Sequence, residues 1–301
     1  MSIGVSIIIV SYNTKELTQN CIQSVFEQTK DIDFEVIVSD NGSSDGSIEM
    51  IKKNFPHVML IENKANIGFG AANNRALRIA KGKYIFYLNS DTILLNNAVK
   101  IFFDYWENSA EKEKLGALGC VLFDAELHPI HSGGKFPTYT SLCQEQLIGL
   151  FLHSVKSVFK FFGLRKFYKT VSNKKRRRNL QFDKIEYITG ADLFLKNDEN
   201  ALFDEDFFLY YEETDLELRL AKENLARKII TEPKIIHLTK KEDRDFSVSN
   251  FSTVCSQISA IKYAQKNLRT RAYFLRFLTK LDHLNPYNYR LYKKVLGVYK
   301  R

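Results

Sequence analysis

Cysteine is scarce in this sequence, and its spacing excludes several classes of protein. Four cysteines occur among 301 residues, and no two of them form a Cys-x-x-Cys pair. Zinc modules and disulfide-stapled secreted domains use closely spaced cysteines, so neither class fits. We therefore expect free thiols in a reducing compartment, which favours the cytoplasm.

Long apolar runs and glycine-rich phosphate loops are also missing. No apolar stretch is long enough to cross a bilayer, and the first strand begins without the regions typical of a signal peptide. No Gly-x-Gly-x-x-Gly loop follows the first strand, and no Walker lysine motif occurs. A nucleotide site in this chain must therefore be built from other groups.

Positive charge, in contrast, is abundant but confined to two segments. The net charge is +9, and residues 151–184 and 262–301 each hold eleven basic residues and one acidic residue. The rest of the chain is consequently acidic. This separation predicts a basic docking surface distinct from the catalytic body.

Short strands alternate with helices over the first ninety residues. Apolar β-forming runs at 5–10, 34–39, 58–61 and 84–88 are separated by segments with helical spacing. Such alternation predicts an α/β fold with a mostly parallel sheet flanked by helices. Asn13 and Glu16 predict a capping box at the first helix. Further patterns predict helices over 93–106 and 212–222, a strand over 116–123, and helices from about 250 onward.

Three polar clusters follow three of these strands. They are Tyr12-Asn13, Asp40-Asn41-Gly42-Ser43 and Asn89-Ser90-Asp91. The carboxyl ends of parallel strands meet at one edge of the sheet, where ligands collect. At that edge, Asp91 could bind a divalent metal that in turn holds a diphosphate. Asp40 could accept hydrogen bonds from a base or ribose, and Tyr12 could cover the face of a base. The alternative is that Asp40 and Asn41 only form a turn.

A cluster of acids and aromatics marks a second candidate site. It comprises Tyr210-Tyr211-Glu212-Glu213-Thr214-Asp215. Crowding and burial raise the proton affinity of a carboxylate, as a general base requires. The alternative is an acidic helix start, with Asp215 and Arg219 as an ordinary ion pair. His237, at the end of an apolar strand, is either a metal ligand or a core histidine.

Taken together, the ordered motifs resemble inverting family 2 glycosyltransferases of the GT-A fold, and among them the rhamnosyltransferase-like branch of bacterial enzymes that build surface polysaccharides. The resemblance spans residues 3 to about 240. Besides the clusters above, it is carried by Asn66-Ile67-Gly68-Phe69-Gly70-Ala71-Ala72-Asn73-Asn74, Thr189-Gly190-Ala191, Asp204-Glu205-Asp206-Phe207-Phe208 and His237.

The resemblance implies a role for each matching position. Glu213 would be the catalytic base, in place of a more common aspartate, with Glu212 or Asp215 as substitutes. Asp91 and His237 would bind Mn²⁺ or Mg²⁺, although Asn89 replaces the first aspartate of the family's Asp-x-Asp motif. Gly190, Ala191 and Asp192 would line the sugar and acceptor pocket. The nucleotide-sugar site would comprise Ser11, Tyr12, Asn13, Asp40, Asn41, Ser43, Asn66, Gly68, Asn73, Asn89, Ser90 and Asp91.

The expected function is inverting transfer of rhamnose or a hexose from a dTDP- or UDP-sugar to a glycan or lipid-linked glycan. Residues 1–240 would form the GT-A domain, with a nucleotide-sugar half (1–115) and an acceptor half (116–240) that contains a basic amphipathic insertion at about 142–184. Residues 241–301 would form a basic helical extension. The alternatives are a sugar nucleotidyltransferase and a non-catalytic glycan- or nucleic-acid-binding protein on the same scaffold.

The basic segments favour contact with a membrane surface. On a helical wheel, residues 147–162 have a wide apolar face and a basic polar face. Tyrosines and cations alternate near the C-terminus, at Tyr287, Tyr289, Tyr292 and Tyr299. We expect peripheral association with the inner face of the cell membrane and no nucleic-acid partner. The alternative is packing on the protein's own core or on a partner chain.

Overall fold

The computed structural model describes residues 3–161, 185–238, 251–283 and 286–299, with backbone alone at 152–161 and 286–288. The basic tract at 174–178 and most of the segment 151–184 lie outside the described residues. No helix in the described part of the chain combines the length and hydropathy of a membrane span.

Strands and helices alternate along the first half of the chain. The strands are β1 (Val5–Ser11), β2 (Phe34–Asp40), β3 (Met59–Glu62), β4 (Tyr84–Asn89), β5 (Thr92–Leu94), β6 (Leu115–Phe123), β7 (Gly133–Gly134), β8 (Tyr187–Ile188), β9 (Asp192–Lys196) and β10 (Ala226–His237). The helices are α1 (Lys15–Gln28), α2 (Ser47–Asn54), α3 (Phe69–Leu77), α4 (Ala98–Asn108), α5 (Tyr139–Phe161), α6 (Glu212–Lys222), α7 (Phe251–Asn267), α8 (Tyr273–Asp282) and α9 (Pro286–Val298).

Eight strands form one sheet in the order β3-β2-β1-β4-β9-β6-β10-β5. Strands β1 to β4 are mutually parallel where they pair, as are β6 and β10. Strand β9 runs antiparallel between β4 and β6. The predicted α/β class, with a mostly parallel sheet flanked by helices, is confirmed.

The two faces of the sheet bury separate apolar layers. Successive side chains of a strand point to opposite faces, so Ile7 and Ile9 join one layer while Ile8 joins the other. The first layer includes Phe102 and Trp106 of α4, and the second includes Leu216 of α6. Helices on both faces thereby fix the strand ends that carry the polar loops.

The predicted helix over 93–106 is wrong at its start. Residues 92–94 form β5, in which Ile93 pairs with Ile236 of β10, and the helix begins only at Ala98. The edge of β10 supplies hydrogen-bond partners that an isolated sequence does not reveal, and β-branched Thr92 and Ile93 suit the strand. This pairing places Asp91 next to the end of β10.

The chain divides into two compact units. Unit 1 comprises Met1–Phe136, Gln181–Glu205 and Glu212–Lys240, and it contains the whole sheet. Unit 2 comprises Pro137–Leu180, Asp206–Tyr211 and Lys241–Arg301, so it includes α5 and the C-terminal helices α7 to α9. The segment that the sequence assigned to the acceptor half as an insertion thus groups with the C-terminal helices.

Candidate active site

The loops after β1, β2 and β4 lie at one edge of the sheet, as the sequence predicted. Ser11 pairs with Asp40, and Val10 pairs with Asn89, so the three strands end in register. Ser90 Oγ lies 3.3 Å from Thr14 Oγ1, which joins the β4 loop to the β1 loop. The polar clusters therefore form one continuous rim.

The predicted capping box of Asn13 and Glu16 is wrong. Asn13 adopts a left-handed backbone with φ 51°, and helix α1 is instead preceded by Thr14 at its N-cap. The Asn13 side chain accepts a hydrogen bond from Ser44 N at 2.8 Å, and Asn13 N donates to Ser43 Oγ at 2.8 Å. Asparagine tolerates this conformation. The side chain and the backbone N–H of Asn13 therefore hold the β1 and β2 loops together.

Asp40 is fully buried and organises the turn after β2. Ser43 N donates to Asp40 Oδ1 at 2.7 Å, and Ser43 Oγ donates to Asp40 Oδ2 at 2.7 Å. Asp40 therefore does stabilise the turn. A carboxylate has about four acceptor sites, so a nucleobase would share Asp40 with Ser43 or displace it. Tyr12 beside it is 47% exposed, free to cover a ring.

A network of amides supports the floor of this rim. Asn41 Nδ2 donates to Asn66 Oδ1 at 3.3 Å and to Gly68 O at 3.1 Å. Asn63 Nδ2 donates to Asn41 Oδ1 at 3.1 Å, and Arg75 Nη1 donates to Asn63 Oδ1 at 2.7 Å. Sequence reasoning missed Asn63 and Arg75. The signal available for Asn63 was its position directly after β3, the fourth parallel strand to end at this edge.

Two asparagines of α3 use their side chains for hydrogen bonds within the protein. Asn73 is buried, and its Nδ2 donates to Phe69 O at 3.1 Å one helical turn earlier. Asn74 makes a reciprocal pair with Phe203, whose N–H donates to Asn74 Oδ1 at 2.9 Å while Asn74 Nδ2 donates to Phe203 O at 2.9 Å. Asn74 thereby ties α3 to the loop that carries the acidic motif, a role the sequence did not indicate.

Asp91 and His237 come together although 146 positions separate them. Asp91 Oδ1 lies 3.1 Å from His237 Nε2, and Asn89 Nδ2 lies 3.5 Å from the same nitrogen. Leu238 N donates to Asp91 O at 2.8 Å, which holds the end of β10 against the β4 loop. Burial lowers the pKa of His237, but the hydrogen bond and charge of Asp91 outweigh it and raise that pKa.

The donor pair Asp91–His237 fits a divalent cation. Carboxylate and imidazole are both ligands of Mn²⁺, and 3.1 Å is about the separation of two adjacent ligands each about 2.1 Å from one ion. No group of three or more His, Cys, Asp or Glu side chains suited to a metal occurs within the described residues. Additional ligands would therefore come from water and from a bound diphosphate, as is usual for Mg²⁺.

The acidic motif begins α6, and its three candidate bases differ in access. Glu212 and Asp215 are buried. Arg219 Nε lies 3.7 Å from Asp215 Oδ2, so these two residues form the predicted i,i+4 ion pair. Glu213 is half-buried, and its pKa is raised by desolvation. Of the three, Glu213 combines access to a substrate with the proton affinity of a base.

Gly190 lies between the candidate base Glu213 and the β4 loop that carries Asp91. A Cβ at Gly190 would lie 3.5 Å from Glu213 Cβ, so the glycine backbone packs directly on Glu213. The neighbouring Ala191 O accepts a hydrogen bond from Asn89 N at 3.0 Å. The short segment before β9 thus has Glu213 on one side and the β4 loop on the other, which brings both candidate centres to the same edge.

Asp192 does not line an open pocket, contrary to the prediction. It is fully buried in β9, where Cys120 N donates to its Oδ2 at 2.6 Å, and burial raises its pKa to about 7. Strand alternation turns this side chain inward, a placement that depends on the β4–β9 register. Ala191 is also buried, which leaves Gly190 as the half-buried member of the three.

Comparison with known proteins identifies the domain that contains these loops. Residues 6–112 match the family described as "Glycosyl transferase family 2". The chain carries a family 2 glycosyltransferase domain. A mannosyltransferase from Pyrobaculum calidifontis, solved with GDP-Man and Mn²⁺, aligns with 99% of this chain and 74% of its own at a TM-score of 0.56 and 15% identity. That likeness supports the GT-A fold.

Curated relatives resemble the N-terminal part of this chain. A poly(ribitol-phosphate) beta-glucosyltransferase of Bacillus spizizenii is 34% identical over 119 residues, which cover 38% of this chain and 19% of the relative. The Escherichia coli enzyme WfaP, a UDP-Glc:alpha-D-GlcNAc-diphosphoundecaprenol beta-1,3-glucosyltransferase, is 36% identical over 121 residues, which cover 36% of this chain and 47% of the relative. The chain thus matches less than half of either relative.

Proposed function

We propose that this protein is an inverting glycosyltransferase. It would transfer rhamnose or a hexose from a dTDP- or UDP-sugar to a glycan or lipid-linked glycan of a bacterial surface polysaccharide, with inversion at the anomeric carbon. The observation that carries the proposal is the placement of half-buried Glu213 against Gly190, on the segment that also contacts the β4 loop of Asp91. Two relatives whose names specify a ribitol-phosphate polymer and a diphosphoundecaprenol-linked sugar support this acceptor class.

In the proposed reaction, Glu213 accepts the proton of an acceptor hydroxyl group. The hydroxyl oxygen attacks the anomeric carbon from the face opposite the nucleoside diphosphate, and the bond from that carbon to the phosphate oxygen breaks. Configuration inverts in this single displacement. The raised pKa of Glu213 makes it a stronger base than an exposed carboxylate, which favours proton transfer near neutral pH.

The rim residues would hold the donor. Asp91 and His237 would bind Mn²⁺ or Mg²⁺, which when bound neutralises charge on the diphosphate leaving group. Tyr12 would cover the base, and Asp40 with Asn41 would contact the nucleoside. The clamp of Asn13 on the β2 loop would keep these groups in place before the donor arrives.

A donor-binding assay tests the proposal. We expect the melting temperature to rise with UDP or dTDP plus Mn²⁺, and each nucleotide sugar that binds to be hydrolysed slowly without acceptor. Asp91→Asn removes the negative charge of the proposed metal ligand, so it should strongly reduce the Mn²⁺-dependent part of the shift and of the hydrolysis. Asp104→Asn is the matched control, because Asp104 pairs with Lys100 on the surface of α4.

The outcomes separate the alternatives named above. Synthesis of a nucleotide sugar from a sugar phosphate and a nucleoside triphosphate would replace this proposal with a nucleotidyltransferase. Binding of glycans or nucleic acid without any metal-dependent hydrolysis would replace it with a binding protein. The acids around Glu213 argue against a polyanionic ligand at this edge. We also propose peripheral contact with the inner face of the cell membrane.

A further inference from the structure

Helix α8 in unit 2 exposes aromatic rings on its outward side. Tyr273 is 65% exposed and Phe277 is 52% exposed, and the ring of Phe274 stacks with that of Phe277 at a centroid distance of 6.4 Å. The inward side of the same helix packs into the protein, because Leu275 and Leu278 are buried. The exposed rings are therefore additional to the core of this unit.

Cations adjoin the exposed rings on the same side of α8. At 100° per residue, Arg276 and Lys280 lie next to Tyr273 and Phe277, away from the buried stripe of Leu275 and Leu278. Both cations are exposed. Asp282 lies on the inward side, where Gln257 Nε2 donates to it at 2.8 Å. The outward side of α8 is thus aromatic and positively charged.

Helix α5 adds a second row of exposed apolar side chains. It packs against α8, and Thr279 Oγ1 donates to Gln146 Oε1 at 3.2 Å between the two helices. Leu142 and Cys143 of α5 face inward and are buried, whereas Ile148 is 58% exposed and Phe151 is 67% exposed. At 100° per residue, Ile148 and Phe151 lie opposite Gln146, so they point away from α8 and form a separate exposed row.

We propose that this aromatic-basic face of α8, comprising Tyr273, Phe274, Phe277, Arg276 and Lys280, inserts into the interface of a bilayer that contains anionic lipid. Aromatic rings settle at the level of lipid headgroups, and neighbouring cations attract anionic headgroups. A symmetric dimer through this face is disfavoured by charge repulsion, since each copy would present the same cations to the other. The proposal specifies the membrane contact suggested above and does not depend on the transfer reaction.

Vesicle flotation with the full chain tests this face. We expect it to float with vesicles of phosphatidylcholine and phosphatidylglycerol, less with phosphatidylcholine alone, and less at high salt. The double variant Phe274→Ser/Phe277→Ser should lower partitioning at least about tenfold because two rings leave the interface. Arg276→Gln and Lys280→Gln should each lower it about fivefold on anionic vesicles.

Matched controls lie in unit 1. Leu127→Ser alters a similarly exposed apolar residue, and Lys53→Gln removes one exposed cation. Both should bind vesicles as the wild type does, and circular dichroism should confirm that every variant is folded. Equal flotation of the Phe274→Ser/Phe277→Ser variant would overturn the proposal. So would a dimer, measured by light scattering, that this variant dissociates while lipid binding is absent throughout.

A failure here leaves the catalytic proposal intact. Hydrolysis of nucleotide sugar in the absence of vesicles measures the site in unit 1 alone, and the substitutions in α8 should leave its rate unchanged. Conversely, loss of hydrolysis in Asp91→Asn should leave flotation unchanged. The two assays therefore distinguish an error in the membrane face from an error in the assigned reaction.

Discussion

Unit 1 buries charge, whereas unit 2 exposes aromatic rings. Asp40, Asp192, Asp215 and Glu217 of unit 1 are each 0% exposed, while Phe277 of unit 2 is half exposed. Both reverse the usual distribution, in which carboxylates face water and large apolar side chains are buried. Such local violations cost stability and mark the places where function has shaped a sequence.

The two units offset these costs in different ways. In unit 1, hydrogen bonds reach the buried acids: Ser43 donates to both oxygens of Asp40, Cys120 N donates to one oxygen of Asp192, and Ile188 N donates to both oxygens of Glu217, at 3.0 Å and 2.8 Å. In unit 2, the exposed rings of α8 have a complete buried stripe behind them. The comparison predicts that substitutions in unit 1 alter chemistry and pH dependence, whereas those on the outward side of α8 leave the fold intact.

The largest effect should follow removal of the base. Glu213→Gln keeps the size and half-buried position of the side chain but cannot accept the proton, so turnover should fall about 10²- to 10⁴-fold. The release of nucleoside diphosphate with acceptor present measures this. Glu223→Gln, at an exposed acid directly after α6, is the control and should keep wild-type turnover. Near wild-type turnover in Glu213→Gln would transfer the role to another group.

A pair of substitutions on one helix sharpens the comparison for unit 2. Leu275→Ala leaves a cavity beneath α8 and should destabilise the protein by about 2–5 kcal/mol. Phe277→Ser, two positions later, removes an exposed ring and should change stability by about 0.5 kcal/mol or less. Thermal unfolding of both variants measures the difference. Equal destabilisation would mean that Phe277 belongs to a core after all.

Glu217 should give unit 1 a pH-dependent stability. Burial raises its pKa well above the ordinary value, and the negative charge of Glu213 raises it further, against the backbone N–H of Ile188 and the charge of Arg227. The folded chain then holds a proton that the unfolded chain releases above its own pKa. Stability should therefore fall as pH rises, by up to about 1.4 kcal/mol per pH unit over the interval between the two pKa values.

The variant Glu217→Gln should remove this decline, since an amide keeps an acceptor for Ile188 N without a titrating proton. Urea unfolding between pH 5 and pH 8 should show the variant improving relative to the wild type as pH increases. A constant difference across this range would show that Glu217 does not titrate differently in the two states.

The smallest effect is expected at Tyr12. Its ring is half exposed, so Tyr12→Ala should leave the melting temperature nearly unchanged. Loss of stacking on the base should raise KM for the donor by a factor that corresponds to about 0.5–1.5 kcal/mol, with kcat nearly constant. Tyr12→Phe should behave as wild type if the face of the ring is what matters. Unaltered KM in Tyr12→Ala would remove this residue from the site.

Much of unit 1 could be predicted because its signals are local. Apolar runs and helical spacing located β1, β2, β4 and α6 within about one residue, since burial on a sheet or a helix imposes a short period on the sequence. The polar residues that follow the strands predicted the rim for the same reason. By contrast, β5 was missed because β10, its partner among the described strands, begins 132 positions after β5 ends.

Sequence alone determined the α/β class, the shared edge for Asp40 and Asp91, and the acidic start of α6, because each depends on neighbours along the chain. Tertiary structure decided which carboxylates remain accessible: Glu213 is half-buried, while Asp192, Glu212 and Asp215 are buried. It also brought His237 to Asp91 and turned the aromatic rings of α8 outward. Those outcomes depend on strand register and helix packing, which are set by contacts between residues far apart in the chain.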